Sequence, residues 1–86
     1  SLITVPSPSE GIFYRRPSPD SPPYVEVGSS VAPGKVMGLV EIMKCFYQIT
    51  YDGPGLPEQG EVVKIMADDT SEVQFGQPLF RIKPSV

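Results

Sequence analysis

The sequence predicts an all-β sandwich or barrel, and three observations lead there. Eleven prolines and eight glycines interrupt a chain of 86 residues, and no segment between them keeps a helical period. The apolar residues gather instead into short, strand-like runs separated by turn signals at close intervals. The chain also repeats itself faintly, as two similar β halves would.

In order, the predicted strands are Ile12 to Tyr14, Tyr24 to Val27, Val36 to Ile42, Phe46 to Tyr51, Val62 to Met66 and Leu79 to Ile82. The third and fourth form a hairpin, over about residues 36–51. With Met43 and Lys44 as its central residues, Ile42 faces Cys45, Val40 faces Tyr47, Gly38 faces Ile49 and Val36 faces Tyr51. Side chains alternate along a strand, so these pairs share one face, wholly apolar, aromatic or glycine. The other face pairs Glu41 with Phe46, Leu39 with Gln48 and Met37 with Thr50, a mixed and partly wet surface. A slip of one residue would turn the apolar set outward, which selects this register. Asp68-Asp69-Thr70-Ser71 reads as a further hairpin tip.

The repeat matches Val31-Ala32-Pro33-Gly34 with Val73-Gln74-Phe75-Gly76, 42 residues on, and a strand follows each glycine. It also matches Gly11-Ile12-Phe13-Tyr14 with Gly60-Glu61-Val62-Val63, 49 residues on. The difference of seven places extra residues between Tyr14 and Val31, where Pro17-Ser18-Pro19-Asp20-Ser21-Pro22-Pro23 stands out. Prolines restrict such a segment, which suggests a rigid protruding loop within a pseudo-symmetric two-layer barrel.

Lys44 is the residue that matters most. Hairpin tips usually carry Asn, Asp or Gly, whose backbones accept positive φ. A Met-Lys pair there would hold a costly conformation, and such strain gathers at functional positions. We read Lys44 as a lysine held out in solvent to be modified. Lys35, Lys64 and Lys83 sit at a turn, in a strand and near the end, without a comparable hairpin.

Composition narrows the alternatives. Eighty-six residues fit a single domain, 1–86, with a modest core. Seven basic against ten acidic residues, a net charge of −3, argue against a nucleic-acid partner. One cysteine suits a reducing compartment, cytoplasmic or the stroma or matrix of an organelle. No run spans a bilayer, so no membrane partner is expected. The abrupt start at Ser1 suggests a C-terminal piece of a longer protein. With no histidine, Ser-His and Cys-His nucleophiles and histidine metal sites are excluded. Asp68-Asp69 is no better as a metal site, and Gly34-Lys35 lacks the upstream glycine of a phosphate loop. Cys45 reads as a half-buried strand cysteine and not as a reactive thiol.

The run from Gly11 through Tyr14-Arg15-Arg16-Pro17-Ser18-Pro19-Asp20, then Tyr24-Val25-Glu26-Val27-Gly28, then Leu39-Val40-Glu41-Ile42-Met43-Lys44, resembles the biotin carboxyl carriers of acetyl-CoA carboxylase. The resemblance covers about residues 6–83. It implies a flattened barrel of two four-stranded antiparallel sheets related by a pseudo-twofold axis. It also implies biotin on Lys44, with Glu41, Met43 and Cys45 around it, and a "thumb" loop at Pro17, Ser18, Pro19, Asp20, Ser21, Pro22 and Pro23.

By the same resemblance the domain is a carrier and not an enzyme. Biotin protein ligase loads it, biotin carboxylase charges the biotin, and a carboxyltransferase passes the carboxyl group to an acyl-CoA in fatty acid synthesis. Ile42 and Cys45 depart from the family's alanine and methionine, and Gly53-Pro54-Gly55-Leu56-Pro57 is an added turn. Lipoyl domains share the fold but usually place Asp before the lysine and lack the thumb. A carrier for another acyl-CoA, a lipoyl-type domain, and an unmodified peptide-binding module are the alternatives.

Overall fold

The computed structural model describes residues 2–53 and 55–85. Eight strands run through them: β1 Ile3–Pro6, β2 Gly11–Tyr14, β3 Ser30–Val31, β4 Lys35–Ile42, β5 Cys45–Tyr51, β6 Gly60–Ile65, β7 Glu72–Val73 and β8 Pro78–Pro84. They form two four-stranded sheets, ordered β1-β8-β6-β3 and β5-β4-β2-β7, with every pairing antiparallel. Exchanging β1 with β5, β2 with β6, β3 with β7 and β4 with β8 turns one order into the other. This is the pseudo-symmetric two-layer architecture that the sequence predicts.

The halves agree in detail as well. Lys35 N–H donates to the Ala32 carbonyl at 3.0 Å, and Gln77 N–H to the Gln74 carbonyl at 3.1 Å, closing the same turn 42 residues apart. Gly11 and Gly60, matched in the repeat, both stand where a Cβ has no room. At Gly60 it would come within 2.5 Å of Ile82 Cγ2, and at Gly11 it would strike the Glu41 carbonyl. Between the sheets, Phe13, Met37, Val40, Ile49 and Tyr51 from one layer meet Val62, Leu79, Phe80 and Ile82 from the other. The Phe13 and Phe80 rings meet edge to face, 5.8 Å apart at 70°, a favoured aromatic geometry. Tyr51 is fully buried, and its hydroxyl donates to the Pro57 carbonyl at 2.9 Å, so its own polar group is not stranded.

Several expectations need correction. Tyr24 to Val27 is not a strand: it belongs to the loop from 15 to 29, although Val25 is buried in the core. Met66 lies beyond the end of β6. Asp68-Asp69 is not a hairpin tip, because β6 and β7 belong to different sheets and the segment crosses between them. Strand β1 ends on Pro6, which an edge strand accepts, since its outer side needs no ladder partner. Pro54, within the proposed added turn, lies outside the described residues.

The hairpin register holds from Ile42↔Cys45 down to Gly38↔Ile49, then shifts. Val36 pairs with Thr50 and Lys35 with Tyr51, leaving Met37 as a bulge. The extra residue exchanges the roles of its neighbours: Met37 enters the core, fully buried, while Val36 is only half-buried.

Candidate functional site

Strands β4 and β5 carry the turn at Met43 and Lys44, with φ of 49° and 69° respectively. Two successive left-handed residues are what a two-residue hairpin with the native strand twist demands. For non-glycine residues that conformation costs about 1–2 kcal/mol each. The cost is met because the ladder pairs on both sides overdetermine the turn. Met43 is 92% exposed, and Lys44 is exposed at the apex.

Cys45 is a free, exposed thiol, contrary to the half-buried position expected. The reason is that β5 is the edge of its sheet and its first four residues are all exposed. The hairpin face expected to be wholly apolar and packed is therefore packed only at its inner end. Val40 and Ile49 are buried, whereas Tyr47 is 51% exposed. The opposite face is drier than expected, since Leu39 is buried opposite Tyr14.

Glu41 faces outward between two aromatic residues. It opposes Phe46 across the hairpin, and its Oε1 accepts the Tyr14 hydroxyl at 2.7 Å. That hydrogen bond, with burial and then the charges of Glu41 and Asp69, raises the Tyr14 hydroxyl above the usual tyrosine value. The Tyr14 and Phe46 rings lie 5.6 Å apart, tilted by 55°. Phe46 stays 57% exposed.

Loop 15–29 is fastened to itself. Tyr24 N–H donates to the Arg15 carbonyl at 2.8 Å and brings the ends together. Ser21 N–H donates to the Ser18 carbonyl at 3.0 Å, and the two hydroxyls lie 2.7 Å apart. Arg15 Nη2 reaches the Val25 carbonyl, and Arg16 Nη1 the Ser21 carbonyl, each at 3.1 Å.

Against this loop lies a cleft of about 160 Å³, lined by Arg16, Pro17, Ser18 and Pro19 on one side and by Tyr14, Phe46, Asp69 and Thr70 on the others. The structure thus brings the first three loop residues of interest together with the hairpin through Phe46. Asp20, Pro22, Pro23 and Lys44 do not line the cleft, Ser21 joins it through Arg16, and Lys44 lies two residues from Phe46 along the chain.

Tyr14, Arg16, Phe46 and Asp69 were not expected at the site from the sequence. Tyr14 and Phe46 had a usable signal, since both fall on the outer face of the strands that carry Glu41. Asp69 had none, being 54 residues from the backbone N–H that it accepts. Among the described residues no group of side chains could hold a metal ion, and no helix is long and apolar enough to cross a membrane.

A family model for the biotin/lipoyl domain, described as "Biotin-requiring enzyme", matches residues 3–82. The chain is 43% identical over 84 residues to the biotin carboxyl carrier protein of acetyl-CoA carboxylase 1, chloroplastic, of Arabidopsis thaliana, covering 98% of this chain and 28% of that protein. It is 37% identical over 83 residues to the biotin carboxyl carrier protein of Nostoc sp. acetyl-CoA carboxylase, covering 96% and 43%. It is 40% identical over 79 residues to the corresponding Haemophilus influenzae protein, covering 92% and 48%. The chain thus spans less than half the length of these relatives.

Among solved structures, a single-chain, multi-domain long-chain acyl-CoA carboxylase superimposes with a TM-score of 0.75 at 14% identity, over 99% of this chain and 7% of that one. At that identity the match speaks for the fold. With its pseudo-symmetric sheets and the match running from β1 to β8, the chain belongs to the family of biotin-requiring enzymes.

Proposed function

We propose that this chain is the biotin carboxyl carrier domain of an acetyl-CoA carboxylase, comprising residues 1–86, with biotin joined to Lys44. The single observation that carries the reading is the Met43-Lys44 turn. An exposed amine sits on a backbone held left-handed at two non-glycine residues in succession.

The residues suit the group. Lys44 Nζ is free to form an amide with biotin's carboxyl group under a biotin protein ligase, and Met43 and Cys45 flank it in full view of that ligase. The cleft beside Phe46 offers prolines and aromatic rings at the scale of a small bicyclic ring system. When attached, biotin supplies a ureido nitrogen that carries a carboxyl group.

What the protein contributes is placement. The barrel is stiff, the lysine side chain is long, and tethering keeps the reactive ring at high local concentration for each partner. Those partners are a biotin carboxylase and a carboxyltransferase, with acetyl-CoA as acceptor. Residues 17–23, within loop 15–29, serve as the thumb, standing beside the path of the ring. The domain itself catalyses nothing, and it works in a cytoplasm or an organelle stroma.

Co-expression with an active biotin ligase tests this. The expected result is a mass gain of one biotinyl group, mapped to Lys44 by peptide analysis and absent from Lys44→Arg. That substitution should leave the thermal midpoint nearly unchanged, since exposed positions usually shift stability by within about 0.5 kcal/mol. Modification at Lys35, Lys64 or Lys83, or none under ample ligase and biotin, would overturn the proposal.

A further inference from the structure

The geometry points to Asp69 as a positioning residue, which holds the thumb beside the hairpin that carries Lys44, from the opposite half of the barrel. The consequence for biotin rests on the carrier reading above; the anchoring itself does not.

At the end of β2 the chain still forms ladder bonds with the β6–β7 connection. Thr70 N–H donates to the Phe13 carbonyl at 2.7 Å, and Phe13 N–H to the Ser71 carbonyl at 2.8 Å. One step further on, a side chain takes over from the backbone: Asp69 Oδ1 accepts the Arg15 N–H at 2.7 Å. Its second oxygen lies 3.6 Å from Arg16 Nε, which is charge attraction at a range too long for a hydrogen bond. Arg16 in turn reaches the Ser21 carbonyl at 3.1 Å, on the far side of the Ser18–Ser21 turn. A single carboxylate therefore grips the base of the thumb directly and its tip through Arg16.

The two grips are unequal. A carboxylate accepting a backbone N–H makes a short, charge-assisted bond. The Arg16 and Asp69 side chains are about a third exposed, so their attraction is modest and weakens with salt. Thr70, at φ 66°, fixes the turn immediately after Asp69.

The other half of the molecule acts as a control. The residue matching Asp69, 42 positions earlier, is Val27, which is 65% exposed and has no carboxylate to offer. The strand beside it, β6, has no thumb to hold. The acid is present only where the long loop leaves the barrel. Because Arg16, Pro17, Ser18 and Pro19 line the same cleft as Phe46 of the hairpin, a thumb released from Asp69 would shift one wall of that cleft.

The test is residue-by-residue ¹⁵N relaxation on the unmodified chain, followed by activity of the biotinylated chain with its carboxylase partners. In Asp69→Ala the order parameters of the Ser18, Asp20 and Ser21 amides should fall from roughly 0.85 to below about 0.6, while those in β1 and β8 stay put. Asp69→Asn keeps an acceptor for Arg15 N–H, so it should restore the base of the loop and leave the tip in between. Arg16→Met should loosen the tip alone, and it decides the matter if Asp69→Ala does not fold.

In the biotinylated protein, Asp69→Ala should leave loading of Lys44 complete and lower the kcat of carboxyl transfer. Rigid thumb amides in both Asp69→Ala and Arg16→Met overturn the anchor while leaving the carrier intact. Failure of Lys44 to accept biotin, with the amides loosened as expected, overturns the carrier and leaves the anchor. Loosened amides with an unchanged kcat confine Asp69 to a purely structural part and overturn its positioning role.

Discussion

Gly28 stands near the end of loop 15–29 at φ 99°, its N–H donating to the Val62 carbonyl at 2.7 Å, and the chain then enters β3. At the matching place in the second half, Thr70 stands at φ 66°, its N–H donating to the Phe13 carbonyl at the same 2.7 Å, and the chain enters β7. The bond is conserved between halves and the residue is not. The same contrast recurs elsewhere. Val62 and Phe13 occupy equivalent buried positions with different volumes, and Val63 lies where Tyr14 bonds to Glu41. Fifteen residues separate β2 from β3, against six between β6 and β7. What the halves share is the set of turns and ladders that closes the barrel. Where they differ, the extra features gather beside the hairpin that carries Lys44.

The largest break in that comparison should come from the core. Phe13→Ala removes a ring that is fully buried and packed edge to face on Phe80, and should cost about 3–5 kcal/mol. Val62→Ala, its counterpart, should cost about 2 kcal/mol, reflecting fewer lost carbon atoms. Urea unfolding checks both: the midpoints should fall in that order at an unchanged m value. Equal losses would mean that the two layers share the core more evenly than their residue volumes imply.

An exchange at the turns should have smaller, opposite effects. Gly28→Thr forces a β-branched residue into a positive-φ conformation, and should destabilise by about 1–2 kcal/mol. Thr70→Gly relieves the same strain but adds roughly 0.5–1 kcal/mol of backbone entropy cost, for a net gain of about 0.5 kcal/mol. Thermal midpoints moving in opposite directions would sharpen the comparison. A loss in both would show that the Thr70 side chain contributes something beyond filling the turn.

The smallest effect concerns Tyr14. Its hydroxyl titrates above the usual tyrosine range because Glu41 accepts its proton in a hydrogen bond. A pKa raised on folding means that the bond's contribution is fully present below about pH 10, and is lost as pH rises through the raised value. NMR titration of the Tyr14 ring carbons should show a late transition in the native chain and an earlier one in Glu41→Gln. An unmoved transition would remove Glu41 as the main cause.

Much of this was legible from residues alone, and the rest was hidden for definite reasons. Alternation along Gly38 to Ile42 and Cys45 to Ile49 was enough to set the register, because a slip would bury Glu41 and expose Val40. It could not reveal the Met37 bulge, since an apolar residue on either face satisfies the pattern. Strands of two residues, such as β3 and β7, are too short to show a period, and β1 is only four residues long and ends on Pro6. Cys45 was misplaced because composition does not say which strand will lie at a sheet edge. The tie from Asp69 to Arg15 needs the two halves to be folded together before it exists at all.

The left-handed pair at Met43 and Lys44 has a consequence for what can be learned from fragments. Asn-Gly would adopt that turn unaided; Met-Lys will not, and an isolated two-stranded hairpin is marginal in water. A synthetic peptide spanning residues 39–48 would carry every letter of the motif and almost none of its shape. Any protein that reads the turn by its backbone must therefore meet the whole barrel, and short tags copied from this stretch would be poor mimics of it.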